Sequence, residues 1–138
     1  MVYGISAYST AYSDCGIFAI YSSTTQDNVA KLFDVITAEA HKVVEHIEEE
    51  ELRRAKAQIR ADLLMAQEGS SYRAKRLAAN LSSFGRYIPN EEILSKVEAI
   101  TTADIQEMMR KIMASSGPLS VAAIGKVSQM PSYEEITR

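Results

Sequence analysis

Several features are scarce or absent in this sequence, and most of these absences exclude a class of protein. Tryptophan is absent, and the single cysteine, Cys15, cannot form an internal disulfide. No segment reaches the ~18 consecutive apolar residues of a membrane span, and "MVYGISAYST" has no basic region followed by an apolar core, so no signal peptide is expected. The formal net charge of −3 gives no basic field for a nucleic acid. The composition therefore predicts a protein that binds neither a membrane nor a nucleic acid.

The pattern of apolar residues predicts an α+β fold in a single domain over residues 1–138. The runs "MVYGISAYS" and "GIFAIYSS" flank a turn-rich "TAYSDCG" and predict an antiparallel hairpin. Helical periodicity follows, with an apolar stripe from Val29 to Ile47 and later stripes that include Leu77, Leu81 and Phe84. "LSVAAIG" predicts a buried strand and "SYEEITR" the start of a helix. This order of elements predicts helices packed on one face of a mainly antiparallel sheet.

The stretch "AHKVVEHIEEE", residues 40–50, is similar to the inverted zinc motif H-x-x-E-H but has one residue too many between its histidines. Five helical steps of about 100° place the rings of His41 and His46 roughly 140° apart around the axis. The two rings then lie on opposite flanks of the apolar stripe, and Glu45 points away from it. Two Zn–N bonds of about 2.0–2.1 Å cannot be made from such positions. We therefore predict surface histidines and no metal ligation.

The other charged runs predict solvated helix faces. Consecutive helical residues do not face each other, so the four glutamates at positions 48–51 fan around the axis instead of forming a cation site. The basic residues between positions 53 and 76 lie beside acidic partners, which favours ion pairs over a phosphate-binding patch. From the residues alone, the chain has no complete catalytic set.

Three segments carry a family resemblance that covers about residues 2–126. They are "VYGISAYSTAYSDCGIFAIYSST", "EEELRRAKAQIRADLLMAQEGSSYRAKRLAANLSSFGR" and "PNEEILSKVEAITTADIQEMMRKI", and "LSVAAIG" closes the series. They resemble the later part of the pitrilysin/insulinase-type zinc metallopeptidases, in particular the mitochondrial processing peptidase-like members and their bacterial relatives. In that family, two similar α/β halves enclose an extended peptide. The zinc motif lies in the first half, where its glutamate activates the metal-bound water.

This sequence is similar to the second, substrate-binding half, which carries no zinc. The resemblance implies an N-terminally truncated fragment that is inactive by itself and holds no cofactor. Its implied partners are the zinc-binding half of the same protein and an extended peptide substrate. A sheet that lacks strands leaves an unpaired edge, so we also expect the fragment to form a two-fold homodimer.

One site residue follows from the resemblance. The family's second half supplies an arginine and, a few residues later, a tyrosine, both of which reach the substrate backbone near the scissile bond. Tyr3 in "MVYG" matches that tyrosine, whereas the arginine would lie before Met1. A phenol at this place can donate a hydrogen bond to the carbonyl oxygen as it gains negative charge. The other interpretation of Tyr3 is an ordinary strand tyrosine.

Three functions remain open from the sequence. The resemblance implies part of a zinc metalloendopeptidase, or a non-catalytic partner or scaffold subunit of the same family. The third is an autonomous helix-on-sheet binding module. A bacterial cytoplasm and a mitochondrial matrix both fit as the compartment.

Overall fold

The computed structural model describes residues 2–114 and 119–136 and has an antiparallel hairpin followed by helices. Strand β1 spans Val2–Ala11 and β2 spans Gly16–Thr24. A 3₁₀ turn at Gln26–Asn28 leads into a series of helices: α1 Val29–Glu45, α2 Glu49–Ala66, α3 Ser70–Phe84, α4 Asn90–Ala99, α5 Thr102–Met113 and α6 Tyr133–Ile136. The α+β class with an antiparallel sheet is therefore confirmed. The sequence also predicts that "SSGP" ends α5, but this run is residues 115–118, which lie outside the described residues.

The chain divides into two compact units. Residues 1–45 and 108–138 form the first, which we call the strand unit, and residues 46–107 form the second, which we call the helix unit.

In the strand unit, the hairpin and α1 follow the predicted patterns. The register pairs Ala11 with Gly16 next to the turn, where the Tyr12 N–H donates to the Cys15 carbonyl over 2.8 Å. Along α1, the half-buried residues include the apolar stripe that the sequence predicts: Val29, Leu32, Phe33, Ile36, Ala40, Val43 and Val44. A hydrogen bond of 2.7 Å from Gln26 Nε2 to Ser128 Oγ ties the segment before α6 to the end of the hairpin.

The predicted strand "LSVAAIG" is wrong for the structure. Residues 119–125 are irregular, and Ile124 is fully exposed at 104%. A strand needs a partner for its backbone hydrogen bonds, and within the described residues β1 and β2 pair only with each other. Residues 119–125 pair with neither strand, so the local preference of this segment for extended backbone is not realised as a strand.

In the helix unit, the predicted burial of α3 is also wrong. Leu81 and Phe84 are 50% and 64% exposed, whereas Asn80 is only 8% exposed. The burial of Asn80 follows from Arg76, one helical turn before it. The part-buried Arg76 guanidinium donates to Asn90 Oδ1 and, over 3.0 Å, to the Ile88 carbonyl. Arg76 and Asn80 are four residues apart and share a helix face. The face of α3 that carries Arg76 and Asn80 therefore points inward, and the leucine stripe does not.

Several helix ends follow local chemistry. Gly85 ends α3 with φ +67°, the left-handed conformation that glycine adopts without strain. Thr101 begins α5 with a reciprocal capping box, in which its Oγ1 accepts from the Asp104 N–H and its N–H donates to Asp104 Oδ2 over 2.8 Å. The sequence "RYIPN" predicts a loop in which Asn90 caps the next helix. This prediction is wrong, since Pro89 holds the cap position of α4 and the Asn90 side chain contacts Arg76.

Candidate functional site

Tyr3 lies at an irregularity of β1 where the chain has one residue more than its partner strand. Val2 pairs with Thr24 and Gly4 pairs with Ser23, so Tyr3 has no residue opposite it. This is a β-bulge, which bends a strand locally and changes the direction of a side chain. Glycine inside a strand is a sequence signal for a bulge, and Gly4 is such a signal here, although the predicted hairpin contained no bulge.

The backbone beside Tyr3 is held in place while its ring is left in solvent. Ser22 Oγ donates a hydrogen bond of 3.0 Å to the Gly4 carbonyl, across the hairpin from the bulge. The Tyr3 side chain is 78% exposed, the largest exposure of any tyrosine among the described residues. The bulge thus presents a phenol O–H, which can donate to an acceptor that approaches the sheet edge.

The two histidines of the near-motif lie in different environments. His41 is an exposed residue of α1. His46 follows the end of α1, and its Nε2 lies 3.1 Å from Glu48 Oε1. In residues 2–114 and 119–136, no three His, Cys, Asp or Glu side chains are grouped so as to hold a metal ion. The donors near positions 41–48 therefore do not fit a zinc site.

His41 also borders a groove that no sequence pattern indicated. The groove has a volume of about 680 Å³ and lies between α1 and residues 129–136. Phe33, Met130, Pro131 and Ile136 form its apolar lining, and Asp34 and Glu135 add carboxylates. Glu135 accepts hydrogen bonds from Ser132, which lower the pKa of its carboxyl, so this group caps α6.

A charged cluster stabilises the loop between α3 and α4. Arg86 donates from both terminal nitrogens to Glu92, over 2.8 and 2.7 Å, and Lys96 Nζ donates to the same carboxylate over 3.0 Å. The hydrogen bonds from Arg86, and then those from Lys96, lower the pKa of Glu92 to about 2. A carboxylate held by two cations is a structural ion-pair group and is poorly suited to act as a general base.

No helix in the described ranges has both the length and the apolar character needed to cross a bilayer.

An antiparallel hairpin followed by helices agrees with the α+β domain that the sequence resemblance implies. Residues 1–59 match the family described as "Peptidase M16 inactive domain". The resemblance to the zinc metallopeptidases is thereby confirmed, and the matched domain is the one named as inactive.

Curated relatives agree with this match. An "Uncharacterized zinc protease" of Rickettsia felis is 40% identical over 115 residues, which are 83% of this chain and 28% of that protein. The "Probable mitochondrial-processing peptidase subunit beta, mitochondrial" of Arabidopsis thaliana is 26% identical over 97% of this chain and 25% of its own length. The "Mitochondrial-processing peptidase subunit alpha" of Solanum tuberosum is 28% identical over 99% of this chain and 27% of its own length. The chain thus spans between a quarter and a third of these relatives.

Proposed function

We propose that this chain is part of a zinc metalloendopeptidase, in which residues 1–138 form a domain of the non-zinc, substrate-binding half. The observation that carries the proposal is the exposed phenol of Tyr3 on a bulge at the start of the matched domain. The names of the Rickettsia and plant relatives support a proteolytic parent. The donor set at residues 41–48 supports placing the zinc in the other half.

In this proposal, Tyr3 acts on the scissile carbonyl. The phenol O–H donates a hydrogen bond to the carbonyl oxygen and strengthens it as negative charge develops there, as an oxyanion-hole donor does. The bulge at Val2–Gly4 fixes the backbone from which the ring extends. A zinc ion held by the other half would supply the activation of water, so this chain would need neither a general base nor a metal.

The partners follow from the same proposal. They are the zinc-binding half of the protein and an extended peptide, and the chain alone forms a homodimer. The compartment is a bacterial cytoplasm or a mitochondrial matrix, in line with the bacterial and mitochondrial relatives.

The second candidate is a non-catalytic subunit of a larger assembly. It is favoured by the similarity to both the alpha and the beta subunits of the processing peptidase, since two related subunits of one assembly need not share the same role.

One comparison tests the proposal. The chain alone and the intact protein that joins it to the zinc-binding half are each dialysed against zinc, analysed for metal and assayed with a fluorogenic peptide. We expect hydrolysis and one zinc per molecule only for the intact protein, and neither for the chain alone. An intact protein that folds and associates but does not hydrolyse peptides would establish the scaffold function instead. One tightly held zinc in the isolated chain would overturn the assignment of the metal to the other half.

A further inference from the structure

The two faces of the hairpin differ in chemistry. In an antiparallel pair, residues directly opposite each other share a face. One face, which we call the tyrosine face, has hydroxyl groups on five of its eight residues and no charge: Gly4, Ser6, Tyr8, Thr10, Ile17, Ala19, Tyr21 and Ser23. The other, the aliphatic face, has hydroxyl groups on two of eight: Ile5, Ala7, Ser9, Ala11, Gly16, Phe18, Ile20 and Ser22. Antiparallel sheets commonly pack one face against the core and leave the more polar face in solvent. By this rule, the tyrosine face is the one exposed to solvent.

Two exposed tyrosines lie close together on the tyrosine face. Tyr21 is opposite Ser6 and Tyr8 is opposite Ala19, so the two rings are diagonal neighbours. Their side chains are 63% and 52% exposed. Diagonal positions in such a pair are about 7–8 Å apart. Alternate side chains of an extended peptide are separated by almost the same distance, since a strand rises about 3.3 Å per residue.

We propose that the tyrosine face is a specificity surface for the extended substrate, with Tyr8 and Tyr21 contacting alternate side chains of the peptide. This inference rests on the proposed function, because Tyr3 defines where the scissile bond lies. Tyr21 lies opposite Ser6, which is three residues from Tyr3 along β1, and Tyr8 is five residues from Tyr3. At about 3.3 Å per residue, these are about 10 and 16 Å along the strand. The contacts therefore fall three to five residues from the scissile bond.

The chemistry of the face determines which side chains it accepts. Tyrosine offers a large, rigid apolar ring at a low cost in conformational entropy. No residue of the tyrosine face carries a charge that would pair with an acidic or basic side chain. The preferred partners are aromatic or aliphatic side chains, which stack on the rings.

Peptide binding to the intact protein, freed of zinc by chelation, tests this inference without a need for hydrolysis. Two fluorescein-labelled peptides are compared by anisotropy. The long one extends six residues on each side of the scissile bond with phenylalanine at the third and fifth positions, and the short one extends two. In the double variant Tyr8→Ser/Tyr21→Ser, we expect Kd for the long peptide to rise by roughly tenfold, from the loss of two aromatic contacts. Kd for the short peptide stays unchanged.

The controls separate the rings from the fold. Tyr12 is an exposed tyrosine of the hairpin turn, four residues beyond Tyr8 and past the last strand pair, so we expect Tyr12→Ser to leave both Kd values unchanged. Tyr8→Phe/Tyr21→Phe keeps the rings and restores most of the affinity. If the serine variant does not fold, an alanine scan of the long peptide against the unaltered protein replaces it. Losses at the third and fifth positions, and not at the fourth, then support the inference.

Equal binding of the long peptide by the unaltered protein and the serine variant would overturn the inference, as would a uniform loss along the scanned peptide. Such a result leaves the proposed function intact when zinc-loaded protein still hydrolyses the peptide. Conversely, the expected losses in a protein that never hydrolyses peptides refute the proposed chemistry and leave the binding surface standing.

Discussion

The substitution Tyr3→Phe in the intact protein removes one hydroxyl and keeps the ring. The phenol is 78% exposed in this chain, so its removal leaves no buried partner without a hydrogen bond. The bulge keeps its geometry, because the hydrogen bond that holds it joins Ser22 Oγ to the Gly4 carbonyl and does not involve the phenol. The substitution therefore tests the chemistry of the hydroxyl and little else.

The expected size of the effect follows from the kind of hydrogen bond. A bond to a charged acceptor contributes about 1.5–3 kcal/mol. The carbonyl oxygen bears that charge only in the transition state, so the loss falls on kcat. At about 1.36 kcal/mol per factor of ten, kcat decreases by roughly 10- to 160-fold. KM changes little, because the ground-state carbonyl gains only a weak bond from the phenol.

Steady-state kinetics with a fluorogenic peptide measures both constants. Tyr12→Phe is the matched control, since it removes a phenol O–H from another exposed tyrosine of the same hairpin. We expect kcat of that control to equal that of the unaltered protein. An unchanged kcat for Tyr3→Phe would refute the assignment. An increase in KM with constant kcat would show instead that Tyr3 contributes only to substrate binding.

The remaining predictions concern stability. In the helix unit, Arg76→Met keeps the stem of the side chain but leaves the Asn90 amide oxygen and the Ile88 carbonyl without their donor, so the free energy of unfolding should fall by about 1–3 kcal/mol. Urea unfolding measures this free energy. The control is Arg54→Met at an exposed position of α2, which should change stability by less than about 0.5 kcal/mol. Equal effects of the two variants would contradict the role of Arg76. The depressed pKa of Glu92, about 2 against an ordinary 4.5, means that its stabilising effect is fully present above pH 4.5 and is lost as the pH falls towards 2. The difference in Tm between the unaltered protein and Glu92→Gln should therefore be constant from pH 7 to 5 and shrink below that, and a difference that grew on acidification would refute the ion pair.

Much of the fold could be predicted from local sequence. The hairpin could be predicted because strand-forming residues flank a turn-rich segment. The apolar stripe predicted for α1 is the half-buried face of that helix. Gly85 predicts the end of α3, and Thr101 or Thr102 predicts the start of α5, of which the structure has Thr101 as the cap; such caps depend on neighbours in sequence.

The errors arose where distant contacts override local preference. The stripe of α3 was predicted to face inward, but Arg76 contacts Ile88 and Asn90, 12 and 14 residues later, and the polar face lies inward instead. The strand predicted at residues 119–125 required a partner edge, which no local pattern can reveal. The same reasoning explains why the groove beside α1 was missed, since its lining comes from segments about 100 residues apart.

The candidate site was predictable only in part. Family resemblance selected Tyr3. The spacing argument for His41 and His46 assumed one continuous helix, whereas α1 ends at Glu45 and only His41 lies in it. The bulge that sets the position of Tyr3 depends on the register between Val2–Gly4 and Ser23–Thr24, which the sequence indicated only through Gly4.

Photo-crosslinking tests the contact between this chain and the substrate most directly. An extended peptide with a photoreactive group on the residue at the scissile carbonyl is bound to the zinc-free intact protein, irradiated, and the attachment points are located by mass spectrometry. We predict attachment at Tyr3 or its neighbours at the start of strand β1, Val2 to Ile5. Attachment confined to the helix unit, residues 46–107, would contradict it.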